Sequence, residues 1–298
     1  MDKLQVKLFG PTTVVLPDET VVTDLGGIKP RMIFEMLAVS LGTPVPKERL
    51  ADKLWDGAPP RTYIGTLESY VSLIRRRLGV ARGRNSAIAT TSNGYLLDPA
   101  QVDVDLDEFR RLVQPTARTT AATLVARTQR AASLVTGDLL AGEAYADWAE
   151  HERSLFEGEY MHACGRAAES ALEVGDPDTA VQMARRAIRC DNVSETSWQQ
   201  LIRALSASGA RSEALRAYLE FRRIVVDELG SEPGAASRAL YMQILNEESG
   251  PTATGASTHE VKTLLKLLRN ALESFPGVDL PRGDSNLAAI AVQLVGAA

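Results

Sequence analysis

The sequence predicts a small α+β domain at the amino terminus, followed by an all-α domain of repeated helix pairs. Three observations carry this reading. Apolar and polar residues alternate between turn signals over Leu4–Val22, three amphipathic stripes then run into an Asn93-Gly94 pair, and glycines and alanines recur 34 positions apart in the second half. At 298 residues, 45% of them apolar and 24% charged, the chain can bury two cores, which excludes disordered and collagen-like classes. No apolar run approaches the roughly 20 residues of a membrane span, and the start, MDKLQVKLFG, has no cleavable apolar core. The expected location is therefore the cytoplasm.

The first strand places Leu4, Val6 and Leu8 on one face; Thr12 to Leu16 and Thr20 to Val22 follow, separated by Gly10-Pro11 and Pro17-Asp18. A helix opens with Pro30 near its start, where the missing N–H costs nothing, and runs to Leu41 with Ile33, Met36, Leu37 and Leu41 as its stripe. Gly42 stops it. Pro46 starts a second helix through Leu54, and Gly57-Ala58-Pro59-Pro60 breaks the chain before a third, over about Thr62 to Leu78.

With Leu67 at zero and about 100° per residue, Val71, Ile74 and Leu78 fall within about 40° of it and form the buried stripe. Ser69, Ser72 and Arg76 lie near 200°, 140° and 180°, on the opposite side. Arg75, Arg76 and Arg77 close the helix, where cations suit the negative end of its dipole. The segment Ile88 to Leu97 then reads as two short strands around Asn93-Gly94. Strands, three helices and a terminal hairpin make a winged helix-turn-helix. A basic triplet alone is usually a solvated helix end. Beside a hairpin and so polar an outer face, it reads instead as a DNA-facing surface.

On that reading the third helix enters the major groove, with Ser69, Ser72 and Arg76 toward base edges or nearby phosphates and Arg75 and Arg77 toward the backbone. Thr66, Tyr70 and Leu73 belong to the same candidate surface. Thr90, Thr91, Asn93 and Tyr95 form the wing over the neighbouring minor groove, and Lys29 and Arg31 at the start of the first helix add phosphate contacts. Charge supports the division. Residues 1–100 hold 13 basic and 10 acidic side chains, residues 101–250 hold 16 and 24, and the last 48 hold 4 and 4, within a net charge of −5.

The strings Ile28-Lys-Pro-Arg-Met-Ile, Val45 to Pro60, Leu67-Glu-Ser-Tyr-Val-Ser-Leu-Ile-Arg-Arg-Arg-Leu78 and Asn93-Gly-Tyr-Leu-Leu resemble the OmpR-type DNA-binding domain of the Streptomyces antibiotic regulatory protein (SARP) family. Where helices of that family commonly carry an arginine, this one has Leu73, which offers only apolar contact, for instance to a thymine methyl. Gly137-Asp-Leu-Leu-Ala-Gly142, Trp148 to Arg153, Gly209 to Tyr218 and Asp227 to Gly234 resemble the bacterial transcriptional activation domain that follows in the same family. The two resemblances together cover about residues 4–245. They imply an activator that binds direct repeats of double-stranded DNA as a homodimer and recruits RNA polymerase for an antibiotic or other secondary-metabolite gene cluster. The loop carrying Trp55, Asp56 and Arg61, with the helical domain, would then touch the sigma subunit or neighbouring polymerase surfaces.

Within the second half Gly175 and Gly209, Ala180 and Ala214, Ala187 and Phe221, and Ala171 and Leu205 are each 34 apart, the period of a tetratricopeptide helix pair. The expected domains are thus residues 1–100, a winged helix; 101–248, tetratricopeptide-like helices; 249–258, a linker; and 259–298, a helical extension that is either a dimer element or a ligand-sensing cap.

Catalysis finds no support. GxxxxGK[ST] and GxSxG are absent, and His151, His162 and His259 are scattered without zinc spacing. Cys164 and Cys190, the only cysteines, read as buried small residues of a reducing compartment. No catalytic residue, metal site or cofactor is expected. Two rival readings remain: a sensor whose helical half binds a small molecule or nucleotide and thereby controls DNA binding, and a protein adaptor whose winged helix contacts protein.

Overall fold

In the computed structural model residues 3–81, 86–116 and 119–246 are described; the expected linker and carboxy-terminal extension lie outside them. The chain is mostly helical with a small sheet at its amino terminus. Strand β1 (Leu4–Lys7) alternates as predicted, Leu4 and Val6 inward and Gln5 and Lys7 outward. It pairs antiparallel with β2 (Thr13–Val15), which pairs with β3 (Val21–Val22). Three helices follow: α1 (Ile28–Val39), α2 (Lys47–Leu54) and α3 (Tyr63–Arg77). Pro30 lies in the first turn of α1, as expected, with Gly27 at φ +104° just before the helix, and α1 ends two residues earlier than expected because Leu41 already belongs to the turn closed by Gly42.

Two short strands were not foreseen. Val45–Pro46 (β4) pairs with Gly94–Leu97 (β6), which also pairs with Ile88–Thr90 (β5), so the expected hairpin is a three-stranded sheet in the order β4-β6-β5. Val102–Val104 (β7) runs parallel to β1, with Leu4 opposite Val102, and completes a four-stranded sheet β3-β2-β1-β7.

Where the sequence suggested two separate cores, residues 1–245 form one compact unit. Phe9 from the first half stacks among Phe109, Phe156 and Tyr160 from the second, with ring centroids 4.9–6.4 Å apart. The segment 136–144 is laced to the end of β1: Gly10 N–H donates to the Asp138 carbonyl (2.9 Å), Leu140 N–H to the Leu8 carbonyl (2.9 Å) and the Thr136 hydroxyl to the Phe9 carbonyl (3.0 Å). The Asp105 carboxylate accepts from the backbone N–H groups of Leu8, Phe9 and Leu106. Burial raises its pKa, and those N–H donors oppose the rise.

The second half continues with α4 (Asp105–Val113), α5 (Ala121–Leu134), α6 (Asp147–Glu173), α7 (Pro177–Cys190), α8 (Glu195–Ala207), α9 (Arg211–Leu229) and α10 (Ala235–Asn246). Helices α4 to α9 pack each on the next. The pairs α6/α7 and α8/α9 reproduce the 34-residue offset, since α7 begins at Pro177 and α9 at Arg211. Gly175 and Gly209 make the turns with φ of +77° and +78°, a region that a side chain would strain. Ala171, Ala180, Ala187 and Ala214 are fully buried where the helices meet. Cys164 is buried and its thiol is pushed up to about 12, whereas Cys190, expected inside, is half-buried. Among the described residues no histidine, cysteine and carboxylate cluster could hold a metal, and no helix is long and apolar enough to cross a membrane.

Candidate nucleic-acid interface

Helix α3 buries the predicted stripe: Leu67, Val71 and Ile74 are fully covered and Leu78 nearly so. The opposite side offers Ser69 and Arg76, both exposed, with Thr66 and Ser72 half-buried beside them. The Ser69 hydroxyl donates to the Gly65 carbonyl (2.9 Å) and that of Thr66 to the Thr62 carbonyl (3.2 Å), so each keeps its oxygen as an acceptor. Tyr70 is half-buried and packs against the core.

The three arginines separate in role. Arg76 projects into solvent. Arg77, half-exposed, pairs with Asp24 at 3.1 Å in the turn before α1, so a phosphate would have to compete with that carboxylate. Arg75, expected toward the DNA backbone, is only 8% exposed. Its Nε and Nη2 donate to the Ile88 carbonyl (3.2 and 2.7 Å) and Nη2 also to Thr90 Oγ1 (2.8 Å), which fastens α3 to β5. The expectation of a direct Arg75 contact is therefore corrected: the hairpin folds over this flank of the helix and claims the guanidinium.

Leu73, read as a possible thymine contact, packs instead on Gly26, where a methyl group would overlap its Cδ2. Gly26 has φ +103°. On the hairpin Thr90 and Asn93 are exposed and Thr91 half-buried. Tyr95, assigned to the wing surface, is 2% exposed and faces inward, its ring centroid 6.0 Å from the Arg75 guanidinium carbon and 5.8 Å from Lys47 Nζ. Gly94 is needed for close approach: a Cβ there would overlap the Val45 carbonyl of β4. The tight turn itself spans Thr91–Gly94, with Thr91 N–H donating to the Gly94 carbonyl at 3.0 Å.

The basic residues of α1 are also engaged. Lys29 Nζ sits 4.5 Å from the centroid of the Trp55 ring, which joins α1 to the loop before α3. Arg31, expected on phosphate, is held by the helical half: Nη2 and Nε lie 2.7 and 3.0 Å from Glu143 Oε1, and Nη2 donates to the Gly142 carbonyl at 3.1 Å. Glu143 is buried and so is Glu35, whose Oε1 is 3.6 Å from Arg31 Nε. The correction has a simple cause, since two desolvated carboxylates need that cation. In the Trp55-to-Arg61 loop Trp55 is half-buried, while Asp56, at φ +49°, and Arg61 are exposed.

Sequence reasoning missed Lys47, whose Nζ donates to Glu68 Oε1 on α3 at 2.7 Å and, together with the Tyr95 ring, ties α2 to the hairpin and to α3. The hydrogen bond to Glu68 raises the Lys47 pKa. Only the position of Lys47 directly after Pro46, at a helix start, hinted at such a role.

The bacterial transcriptional activator domain matches residues 104–245. Regulatory protein DnrI of Streptomyces peucetius is 30% identical over 267 residues, covering 85% of this chain and 96% of DnrI. Transcriptional regulator RedD of Streptomyces coelicolor is 28% identical over 258 residues, covering 82% of this chain and 71% of RedD. A solved structure of Mycobacterium tuberculosis EmbR, in complex with a low-affinity phosphopeptide, superposes with a TM-score of 0.69 over 92% of this chain and 72% of that one, at 24% identity, which speaks for a shared fold alone. A regulator aligned along nearly its whole length at the first of these identities, and an activator domain over α4–α10, place this chain in the SARP family of transcriptional activators.

Proposed function

We propose that the protein is a sequence-specific DNA-binding activator, a winged helix-turn-helix joined to a tetratricopeptide-like scaffold. Helix α3 lies in the major groove, with Arg76, Ser69, Ser72 and Thr66 toward bases and phosphates, and Arg77 and Lys29 reach the backbone as their present partners yield. Hairpin β5–β6 is the wing, presenting Thr90, Thr91 and Asn93 to the adjacent minor groove. A homodimer on direct repeats would recruit RNA polymerase through the Trp55, Asp56 and Arg61 loop and the helical half, in the cytoplasm, for a secondary-metabolite cluster such as an antibiotic pathway. The domains divide accordingly, with residues 1–100 gripping DNA and 101–248 handling protein. The observation that carries the reading is the polar outer face of α3, left uncovered next to an exposed hairpin while its apolar face is fully buried.

Footprinting on genomic fragments tests it. Two protected windows one helical turn apart, about 10 base pairs, are expected. With about six phosphate contacts, log affinity should fall against log salt with a slope near −5. A flat salt response would favour the adaptor reading. Ligand control is favoured by one observation: a groove of about 500 Å³, lined by Leu139, Phe156, Tyr160 and Arg186, is walled by the same 136–144 segment that holds Arg31. Calorimetry with pathway metabolites and nucleotides, in the presence and absence of the DNA site, tests that version.

A further inference from the structure

We propose that the groove between the 135–144 segment, α6 and the end of α7 binds a flat, apolar acid of single negative charge, and that Arg186 takes its anionic group. The inference rests on the ligand-control reading and adds to it the class of molecule and the residue that selects it. At about 500 Å³ the groove suits a small multi-ring molecule. Its inner wall is apolar: Leu139, Phe156 and Tyr160 are buried, and the two rings lie parallel to within 12°, with centroids 5.6 Å apart. A planar ring gains edge-on or offset-stacked contacts on such a wall.

Arg186 is half-buried on α7, and its Nη1 donates to the Tyr160 hydroxyl at 3.0 Å. Among the described residues no carboxylate pairs with it. A phenol accepts a hydrogen bond but leaves the positive charge uncompensated, so a partly desolvated guanidinium here favours an anion. The phenol also fixes one edge of the fork before a ligand arrives, and the remaining N–H groups suit the two oxygens of a carboxylate. Arg153, on the same groove, is already closed on Glu150 at 2.8 and 3.1 Å. The exposed rim carries Asp138 and Glu157 against Arg189 alone, and this net negative edge repels a molecule with several charges, which favours a single carboxylate over a nucleotide. The wall formed by 135–144 is the strip whose Leu140 N–H donates to the Leu8 carbonyl and whose Glu143 holds Arg31. A seated acid therefore bears on the seam between the two halves.

The test uses the full chain with naphthoate, its neutral isostere naphthamide, and ATP as probes in titration calorimetry. Naphthoate should bind on the order of ten-fold more tightly than naphthamide, the difference being one charge-assisted contact, and more tightly than ATP. Arg186→Gln keeps a donor for Tyr160 without the charge and should erase that preference, and Arg186→Lys should restore it in part. Location is read at Cys190, the half-buried cysteine that lines the groove: naphthoate should slow its alkylation by N-ethylmaleimide several-fold. Should Arg186→Gln fail to fold, the acid–amide comparison and the protection of Cys190 in the parent decide alone. Naphthamide or ATP binding as tightly as naphthoate, an unchanged preference in Arg186→Gln, or alkylation of Cys190 at the same rate with and without naphthoate overturns this inference, as does the absence of binding by naphthoate. Naphthoate that binds as expected and leaves affinity for the footprinted DNA unchanged upholds the site and overturns ligand control alone.

Discussion

Replacing Glu35 by glutamine should flatten the pH dependence of stability. Glu35 lies on α1 and is wholly buried where the sheet, α1 and the 141–143 turn meet. Its Oε1 accepts from the Thr12 hydroxyl at 2.5 Å, Arg31 lies 3.6 Å away, and Oε2 meets no donor among the described residues. Burial, aided by the nearby charge of Glu143, raises its pKa from 4.5 to about 7 against the opposing pulls of Thr12 and Arg31. The fold therefore holds this proton more tightly than the unfolded chain does. Its stabilising contribution is complete below about pH 4.5 and is lost as pH rises through about 7. At about 1.4 kcal/mol per unit, a rise of about 2.5 units makes the full loss on the order of 3 kcal/mol. Glutamine keeps the carbonyl that Thr12 needs, and its amide can donate to Glu143 as the protonated acid would. Urea unfolding followed by circular dichroism from pH 5 to pH 8 should find parent and variant close at the acid end, with the variant ahead by about 3 kcal/mol at the alkaline end. Parallel curves across that range would refute the assignment.

Arg31→Ala should cost about 2 kcal/mol by urea unfolding, because it strands Glu143 and Glu35 without their cation, discounted for an arginine that is 30% exposed. The salt slope of DNA binding should not change in that variant, whereas a phosphate-contacting arginine would lower it. Gly26→Ala should lower stability by roughly 1–3 kcal/mol in thermal melts, since the added methyl strains a φ of +103° and overlaps Leu73. Shortening Leu73 to Ala in the same chain should relieve the overlap and leave the backbone strain.

Helix α3 was legible because four apolar residues at helical spacing specify a buried face without reference to anything distant, and Leu67, Val71, Ile74 and Leu78 are that face. The helix pairs were legible for a similar reason, since small residues 34 apart mark where helices touch. Strands β4 and β7 were not legible. Two or three residues display no alternation, and their partners, Gly94 for Pro46 and Leu4 for Val102, lie far off in sequence. Arg75 sits about 80° around the helix from Leu67, a flank that helical geometry alone leaves open. Whether such a flank meets solvent depends on the hairpin, and here the Ile88 carbonyl reaches it. Arg31 failed as a phosphate contact for the same kind of reason, its partner Glu143 being 112 residues away.

The outward face of α3 is best tested at Arg76, the arginine of the triplet that is exposed and not held by Asp24 or the hairpin. Affinity for the footprinted site should be measured across a salt series for the parent and for Arg76→Ala. The account predicts weaker binding in the variant and a salt slope shallower by about one if Arg76 meets phosphate, or a loss of about 1–3 kcal/mol confined to one base pair if it reads guanine. Identical affinity, slope and base preference in the two proteins would contradict it.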